Sequence, residues 1–218
     1  MKTEFWHDRW ENGLIGFHQE EYNPYLVKHW PSISLRDDEA VFVPMCGKSK
    51  DLLWLAAQGH AVKGVEVSPL AVEAFFAENE LAHEEKPHTK FTVRQADKIE
   101  LLQGDFFHLS AEDLASVGAV FDRASLIALP PEMRQQYAEH LAEVLKPGTQ
   151  VLLVSMEYPQ AEMDGPPFSV TQNEVYELYQ QNFEIKVLED VDALAENPRF
   201  QNKGLTQFHE KVFCLVRK

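Results

Sequence analysis

Gly47 and Glu66 stand about 20 positions apart, and each comes directly after a short apolar run. Gly47 lies in a turn that follows Val41-Phe42-Val43, and Glu66 ends a second run that begins at Ala61. A glycine after a strand lets backbone N–H groups approach a ligand closely, and a carboxylate about 20 residues later can accept both hydroxyls of a ribose. This spacing predicts a strand–turn–helix–strand unit that holds an adenosine compound.

The same segment lacks the glycines that hold phosphates. Gly47-Lys48-Ser49 resembles the end of a P-loop, but Phe42 stands where that motif needs its first glycine. A dinucleotide fingerprint needs three glycines, and Gly47 is the only one at positions 41–58. These departures favour a nucleoside without phosphates, of which S-adenosylmethionine is the commonest cofactor. The alternative is a generic strand–helix–strand unit in which Glu66 merely ends a strand.

Further candidate residues follow later apolar runs. Asp105 and Phe106 come after a predicted strand near Glu100, and an acid next to an aromatic ring there could hydrogen-bond and cover an adenine. Arg123 follows the run that begins at Ala119. An unpaired guanidinium at the end of a buried strand would be costly, so an anionic partner is expected for it.

Trp6 and Trp10 lie four positions apart and would share one face of a helix. One interpretation makes both core anchors, since aromatic rings bury large areas. The other makes this N-terminal segment a lid over the cofactor.

The elements that position these residues alternate between strands and helices. Helices are predicted at 24–29, 50–58, 69–78, 132–145 and 172–181, and strands near Val41, Ala61, Glu100, Ala119, Val151, Phe183 and Phe208. Residues 91–102 could form a hairpin that leads into the third core strand. Parallel strands joined by right-handed helical crossovers give a doubly wound α/β sheet, with ligands outside the carboxyl ends of its strands.

Composition agrees with one soluble domain over residues 1–218, with an N-terminal helical lid at about 1–35. The formal net charge of -15 would repel nucleic acid and anionic membranes, so neither is an expected partner. No run approaches the roughly 18–20 apolar residues of a membrane span, and the N-terminus lacks a signal-peptide pattern. Cys46 and Cys214 are the only cysteines, which suits a reducing cytoplasm. The nine histidines lack zinc-binding spacings, so no metal is expected, and a monomer is the default.

Several motifs together resemble the thiopurine S-methyltransferase family, of the compact bacterial type. The matching residues are Phe5-Trp6-His7-Asp8-Arg9-Trp10, Asn12-Gly13, Phe17-His18-Gln19-Glu20, Pro44-Met45-Cys46-Gly47-Lys48, Gly59-His60, Gly64-Val65-Glu66-Val67-Ser68, Gly104-Asp105-Phe106-Phe107, Asp122-Arg123-Ala124, Gly165-Pro166-Pro167-Phe168, Val191-Asp192-Ala193 and Glu210-Lys211-Val212. The resemblance spans essentially the whole chain. It implies a Rossmann-like class I methyltransferase fold with seven strands, the last of them antiparallel.

The resemblance also implies roles for individual residues. The cofactor-binding set is Trp10, Met45, Glu66, Asp105, Phe106 and Arg123, and the substrate-binding set is Phe17, His18 and Arg199. The family often has Leu where this chain has Met45, a change that preserves volume. Arg123 is expected either to pair with the methionyl carboxylate or to steady a thiolate, and the sequence leaves both open. No residue is expected to act as a dedicated catalytic acid, base or nucleophile.

The implied activity is S-adenosylmethionine-dependent S-methylation of thiopurines and related aromatic or heterocyclic thiols, with S-adenosylhomocysteine as the product. In-line transfer to a soft nucleophile depends on proximity, orientation and exclusion of water. Two alternatives stay open at this point. The acceptors could be selenium or tellurium compounds, in metalloid detoxification, or the chain could be a non-catalytic sensor of the cofactor.

Overall fold

The computed structural model describes residues 3–218, which fall into two compact units, Met1–Phe121 and Asp122–Lys218. The predicted single domain over residues 1–218 stays a prediction, as does the predicted lid, whose residues 1 and 2 lie outside the described part of the chain.

The first unit contains a largely parallel sheet with an antiparallel extension. Its strands are β1 (Ala40–Val43), β2 (Ala61–Glu66), β3 (Glu84–Lys86), β4 (Thr92–Ala96), β5 (Ile99–Gln103) and β6 (Val117–Asp122), which ends one residue beyond the unit. They are ordered β3-β4-β5-β2-β1-β6. β1 pairs in parallel with β2 and β6, and β2 with β5, whereas β3 and β4 are antiparallel. The central strands β1 and β6 are buried along their whole length, as parallel strands covered on both faces must be.

Four helices belong to this unit: α1 (Thr3–Glu11), α2 (Pro24–His29), α3 (Asp51–Ala57) and α4 (Pro69–Glu78). Local sequence explains where two of them begin. The Asn23 side chain accepts N–H groups at the start of α2, and the Ser68 hydroxyl accepts the Ala71 N–H at the start of α4. In both helices a proline occupies the first turn, where its missing N–H is not needed.

The second unit combines three strands with three helices. Its elements are α5 (Pro131–Val144), β7 (Gln150–Glu157), α6 (Gln172–Tyr179), β8 (Phe183–Asp192), α7 (Pro198–Gln201) and β9 (His209–Arg217). β9 lies between β7 and β8 and is antiparallel to both. Tyr158, Phe200 and Phe208 belong to a small buried apolar cluster in this unit.

All seven predicted strands have counterparts, in β1, β2, β5, β6, β7, β8 and β9. The implied number of seven strands is wrong, because the described residues form nine. The two additional strands, β3 and β4, lengthen the β5 edge as an antiparallel ribbon; β4 and β5 are the hairpin proposed for residues 91–102. β3 was missed because Glu84-Glu85-Lys86 is charged and exposed, which is typical of an edge strand. The antiparallel last strand is confirmed, and the short helix α7 was not predicted.

No helix within residues 3–218 is both long and apolar enough to cross a membrane.

Candidate cofactor-binding site

The turn after β1 is fixed to the end of β2 by its backbone. Met45 and Gly47 both adopt positive φ values, 44° and 54°. Such values favour glycine, so Met45 holds a conformation that most residues avoid. The Cys46 N–H donates to the Val65 carbonyl at 3.0 Å, and the Gly47 N–H donates to the Glu66 side chain at 2.8 Å. Hydrogen bonds therefore hold the turn against Glu66, the residue predicted to bind the ribose.

The Glu66 carboxylate is buried and oriented from two sides. One oxygen, Oε2, accepts the Gly47 N–H, and the other, Oε1, accepts the Ser68 N–H at 2.8 Å. Burial raises the pKa of Glu66, and the backbone N–H groups and nearby His7 oppose that rise. A carboxylate offers about four lone-pair positions, so the two N–H groups do not use up its capacity to accept ligand hydroxyls. This geometry suits recognition of a vicinal diol.

Trp10 covers the glycine of the turn. A Cβ atom placed on Gly47 would lie 3.1 Å from the Trp10 ring, so the bare backbone is what allows this close approach. Phe17 contacts Trp10 and Trp6 edge-to-face, with ring centroids 5.6 and 5.8 Å apart. The His7 ring lies 3.3 Å from the Val67 carbonyl, through Nε2. Helix α1 thus places the Trp10 ring against Gly47, which donates to Glu66. Its His7 contacts Val67, the residue after Glu66.

Asp105 and Phe106 also lie at this end of the sheet. β5 ends at Gln103, which is in register with Glu66, and the Gly104 N–H donates to the Glu66 carbonyl at 2.9 Å. The Asp105 carboxylate accepts the Phe107 N–H at 2.9 Å and so caps a 3₁₀ turn, while Phe106 is buried. Asp105 therefore has a local structural task, and its second carboxylate oxygen can still accept a ligand donor.

His18 follows Phe17 in the segment between α1 and α2. Its side chain is 9% exposed, and its Nε2 lies 3.8 Å from a Glu20 oxygen. Glu20 in turn lies 3.9 Å from the Lys50 ammonium. Of the predicted residues in the first unit, the structure brings together Trp10, Phe17, Glu66 and the turn of Met45.

Two of the predicted site residues, Arg123 and Arg199, belong to the second unit. Arg123 is half-buried and directly follows Asp122, which is fixed by the Tyr137 hydroxyl at 2.7 Å and the Ser125 N–H at 3.3 Å. Burial raises the pKa values of Asp122 and Tyr137. Arg199 is exposed on α7, with its guanidinium carbon 5.8 Å from the centroid of the Phe200 ring.

Sequence reasoning gave no role to His7 or Tyr137. His7 lies between two tryptophans that were singled out, so its place on α1 was a usable signal. Tyr137 lies one turn inside a predicted helix, and nothing in its spacing showed that its hydroxyl would hold the residue before Arg123.

Cys46 is a free thiol in the turn beside Gly47. Burial and the nearby Glu66 charge raise its pKa well above the ordinary value, which suppresses the nucleophilic thiolate. Within residues 3–218, no three His, Cys, Asp or Glu side chains are grouped so that they could hold a metal ion.

Comparison with known proteins gives a family match over residues 1–218, to thiopurine S-methyltransferase (TPMT). The chain belongs to the thiopurine S-methyltransferase family. A Nitrosospira multiformis relative named thiopurine S-methyltransferase is 50% identical over 218 residues, covering 100% of this chain and 99% of the relative. A Pseudomonas fluorescens relative of the same name is 51% identical over 218 residues, with both chains covered completely.

Solved structures show the fold. A SAM-dependent methyltransferase from Anabaena variabilis matches with a TM-score of 0.66 at 12% identity, covering 99% of this chain and 95% of that one. A Burkholderia thailandensis 1,6-didemethyltoxoflavin-N1-methyltransferase, with 1,6-didemethyltoxoflavin and S-adenosylhomocysteine bound, matches with a TM-score of 0.62 at 14% identity, covering 99% of this chain and 87% of that one. The chain has the Rossmann-like α/β fold of class I methyltransferases, and it is an S-adenosylmethionine-dependent methyltransferase.

The residues of the first unit fit S-adenosylmethionine as the cofactor. Glu66 presents a buried, oriented carboxylate for a diol, and Gly47 allows an aromatic ring and a ligand to approach the backbone closely. The cofactor carries no phosphate, in agreement with the absence of the glycines that a phosphate cradle needs.

Proposed function

We propose that this chain methylates the sulfur of thiopurines and of related aromatic or heterocyclic thiols. The observation that carries the proposal is the full-length similarity, at about half of all positions, to relatives named thiopurine S-methyltransferase. The match includes the N-terminal aromatic segment and the Gly165-Pro166-Pro167-Phe168 motif, which lie outside the minimal cofactor-binding unit.

On this proposal, Glu66 accepts the ribose hydroxyls of the cofactor and Trp10 closes over it. The backbone of Met45 contacts its amino-acid end, and Asp105 and Phe106 lie at the adenine. Arg123 pairs with the methionyl carboxylate or steadies the acceptor thiolate. Support comes from the fixed Glu66 carboxylate and from the Trp10 ring packed on Gly47.

Bound S-adenosylmethionine supplies a methyl group on a positively charged sulfur, which is electrophilic without further activation. An aromatic thiol is acidic enough to lose its proton to solvent near neutral pH, so no dedicated base is required of the protein. Phe17, His18 and Arg199 are the proposed acceptor-side residues. Aromatic walls formed by Trp10, Phe17 and Phe106 would exclude water, which otherwise hydrates both reacting partners.

An acceptor screen tests the proposal directly. The purified chain is incubated with S-adenosylmethionine and, separately, a thiopurine, a simple aromatic thiol, a selenol, tellurite or no acceptor, and products are detected by mass. We expect methylated thiopurine and methylated aromatic thiol. Transfer confined to the selenol or tellurite would replace the proposal with metalloid methylation. Tight binding of S-adenosylhomocysteine without turnover on any acceptor would make the chain a sensor.

We also propose that the enzyme works in the cytoplasm as a monomer with a role in detoxification. The two free cysteines and the acidic composition support this setting, which suits a small-molecule acceptor.

A further inference from the structure

Arg134 is a buried cation in the second unit. It lies on α5 with 1% of its surface exposed, its Nε donates to the Leu129 carbonyl at 2.9 Å, and its Nη1 donates to the Glu174 carboxylate. The remaining guanidinium nitrogen, Nη2, is buried and has no hydrogen-bond partner within residues 3–218. An unsatisfied buried donor is uncommon in native proteins, so the retention of a guanidinium here needs a reason other than simple packing.

One face of this guanidinium meets residues 165–168, the Gly-Pro-Pro-Phe segment. The guanidinium carbon lies 5.8 Å from the centroid of the Phe168 ring, within cation–π range. The Phe168 N–H donates to the Ile127 carbonyl at 2.7 Å. A Cβ atom on Gly165 would lie only 2.5 Å from the Phe168 ring, so the segment is folded tightly onto itself.

Tyr158 and Gln160 also hold the segment and the residue that follows it. The Tyr158 hydroxyl donates to the Pro167 carbonyl at 2.6 Å, and the Gln160 side chain accepts the Ser169 N–H at 2.9 Å. Burial raises the pKa of Tyr158, and the hydrogen bonds with Gln160 and Ser169 and the Arg134 charge oppose that rise.

The segment lies where a doubly wound fold binds its ligands. It belongs to the connection that leaves the carboxyl end of β7, and the Ile127 carbonyl ties it to the connection that leaves the carboxyl end of β6. Residues 165–168 belong to the second unit, whereas Glu66 and its turn belong to the first, so we expect the segment to contribute to acceptor binding.

We propose that Arg134 is a positioning residue that holds residues 165–168 as a wall of the acceptor pocket, so that it determines acceptor binding and not cofactor binding. This inference rests on the proposed function for the identity of the acceptor. Arg134 does not touch the reacting atoms; it acts through the Phe168 ring and through the Leu129 carbonyl. A planar guanidinium can serve both at once, whereas a lysine ammonium cannot.

The chain contains a matched control in Arg217. Its guanidinium carbon also lies 5.8 Å from a phenylalanine centroid, that of Phe183, and its Nε also donates to a backbone carbonyl, that of Ala142, at 2.8 Å. Arg217 lies at the other end of β7, near Gln150. The pair Arg134→Met and Arg217→Met therefore separates the loss of a guanidinium that packs on an aromatic ring and donates to the backbone from the loss of the contact with residues 165–168.

The test combines hydrogen exchange of peptides covering residues 163–170 with steady-state kinetics and calorimetric titration of S-adenosylhomocysteine. For Arg134→Met we expect about tenfold faster exchange in that segment and about a tenfold lower kcat/KM for the thiopurine, the order expected from losing a charge-assisted contact. The affinity for S-adenosylhomocysteine stays within about twofold of the wild type, because Glu66 and Gly47 are untouched. Arg217→Met should leave both the exchange of residues 163–170 and the kcat/KM for the thiopurine within about twofold of the wild type. Arg134→Lys should give values between those of the wild type and Arg134→Met.

Equal effects of the two substitutions on exchange and kinetics would overturn the inference, and so would an equal loss of cofactor and acceptor affinity in Arg134→Met. Should Arg134→Met not fold, Phe168→Leu removes the ring and leaves the buried charge paired, with the same direction of effect expected. If the wild type methylates no thiol, the proposed function falls. The exchange comparison needs no acceptor and still decides whether Arg134 holds the segment.

Discussion

At the scale of single residues, the binding properties of Glu66 follow from two opposing influences on its pKa. Burial favours the neutral acid, while the Gly47 and Ser68 N–H groups favour the carboxylate, and burial has the larger effect. Ribose hydroxyls donate more strongly to the charged carboxylate than to the neutral acid. Ligand binding and loss of a proton from Glu66 are therefore linked.

Glu66 predicts the pH dependence of cofactor binding. A raised folded-state pKa means that, without ligand, this group stabilises the fold below its unfolded pKa and loses that contribution as pH rises through the folded pKa. Binding uses the deprotonated form, so affinity for S-adenosylhomocysteine should fall as pH is lowered, beginning above the ordinary glutamate range. The slope is at most about one unit of log Kd per pH unit for one proton. Calorimetric titrations between about pH 8 and about pH 5 measure it.

The substitution Glu66→Gln should remove that pH-dependent component and weaken binding at neutral pH by about tenfold or more, because hydrogen bonds to a charged acceptor are lost. Glu100→Gln, at a half-buried carboxylate on β5 paired with Lys63, is the control and should bind like the wild type. Unchanged affinity in Glu66→Gln would contradict the ribose assignment.

Gly47 gives a second prediction at this scale. Gly47→Ala places a Cβ 3.1 Å from the Trp10 ring, whereas Gly13→Ala, at a similar φ of 65°, meets nothing within 4 Å. Both substitutions strain the backbone, by about 1 kcal/mol or more, but only the first disturbs Trp10. We expect Gly47→Ala to bind S-adenosylhomocysteine at least about tenfold more weakly than Gly13→Ala. Equal binding by the two variants, measured by the same titration, would show that the Trp10 contact is unimportant.

At the scale of elements, sequence patterns identified the core strands because burial demands apolar runs. Val41, Ala61, Ala119 and Val151 each mark such a run, and the helix at 69–78 matches α4 because Ser68 and Pro69 define its start. Sequence patterns failed for charged segments, and they did not predict β3, whose residues are all charged. Arg134 was missed for the same reason, since a charged residue in a helix is normally read as exposed, and its burial depends on Glu174 and Phe168 from distant positions.

The candidate site was predictable in its residue types but not in its bonds. The spacing of Gly47 and Glu66 indicated a ribose carboxylate, yet the direct hydrogen bond between them exists only because β1 and β2 pair in parallel. The sequence could not distinguish two roles for Asp105. A carboxylate at this position can bind a ligand, and it can also accept the Phe107 N–H, as it does in the structure.

Helix α1 supplies the prediction at this scale. His7 donates from Nε2 to the Val67 carbonyl at 3.3 Å, which ties the helix to the residue after Glu66. Loss of such a bond contributes about 1 kcal/mol, or roughly fivefold in a local opening equilibrium. Hydrogen exchange in α1 should therefore be about fivefold faster in His7→Ala. Asp8→Ala, on the exposed neighbour, should exchange like the wild type. Equal exchange rates of α1 in the two variants would show that the His7 hydrogen bond does not hold the helix.

At the scale of the whole molecule, the charge of -15 and the scattered exposed apolar residues predict a monomer. The large exposed hydrophobic side chains include Leu14, Tyr22, Val27 and Leu70, and single exposed residues of this kind are ordinary on monomeric proteins. Sedimentation at micromolar concentration should give one species near 25.0 kDa. A species of twice that mass would contradict the prediction.

The central claim is that the methyl group goes to sulfur. The most direct measurement uses S-adenosylmethionine with a ¹³C-labelled methyl group, a thiopurine as acceptor, and carbon NMR of the product, which distinguishes a methyl on sulfur from a methyl on a ring nitrogen. We expect the label on the exocyclic sulfur, with one S-adenosylhomocysteine formed for each methyl transferred. A label on a ring nitrogen, or no label transferred from a cofactor that is bound, would contradict it.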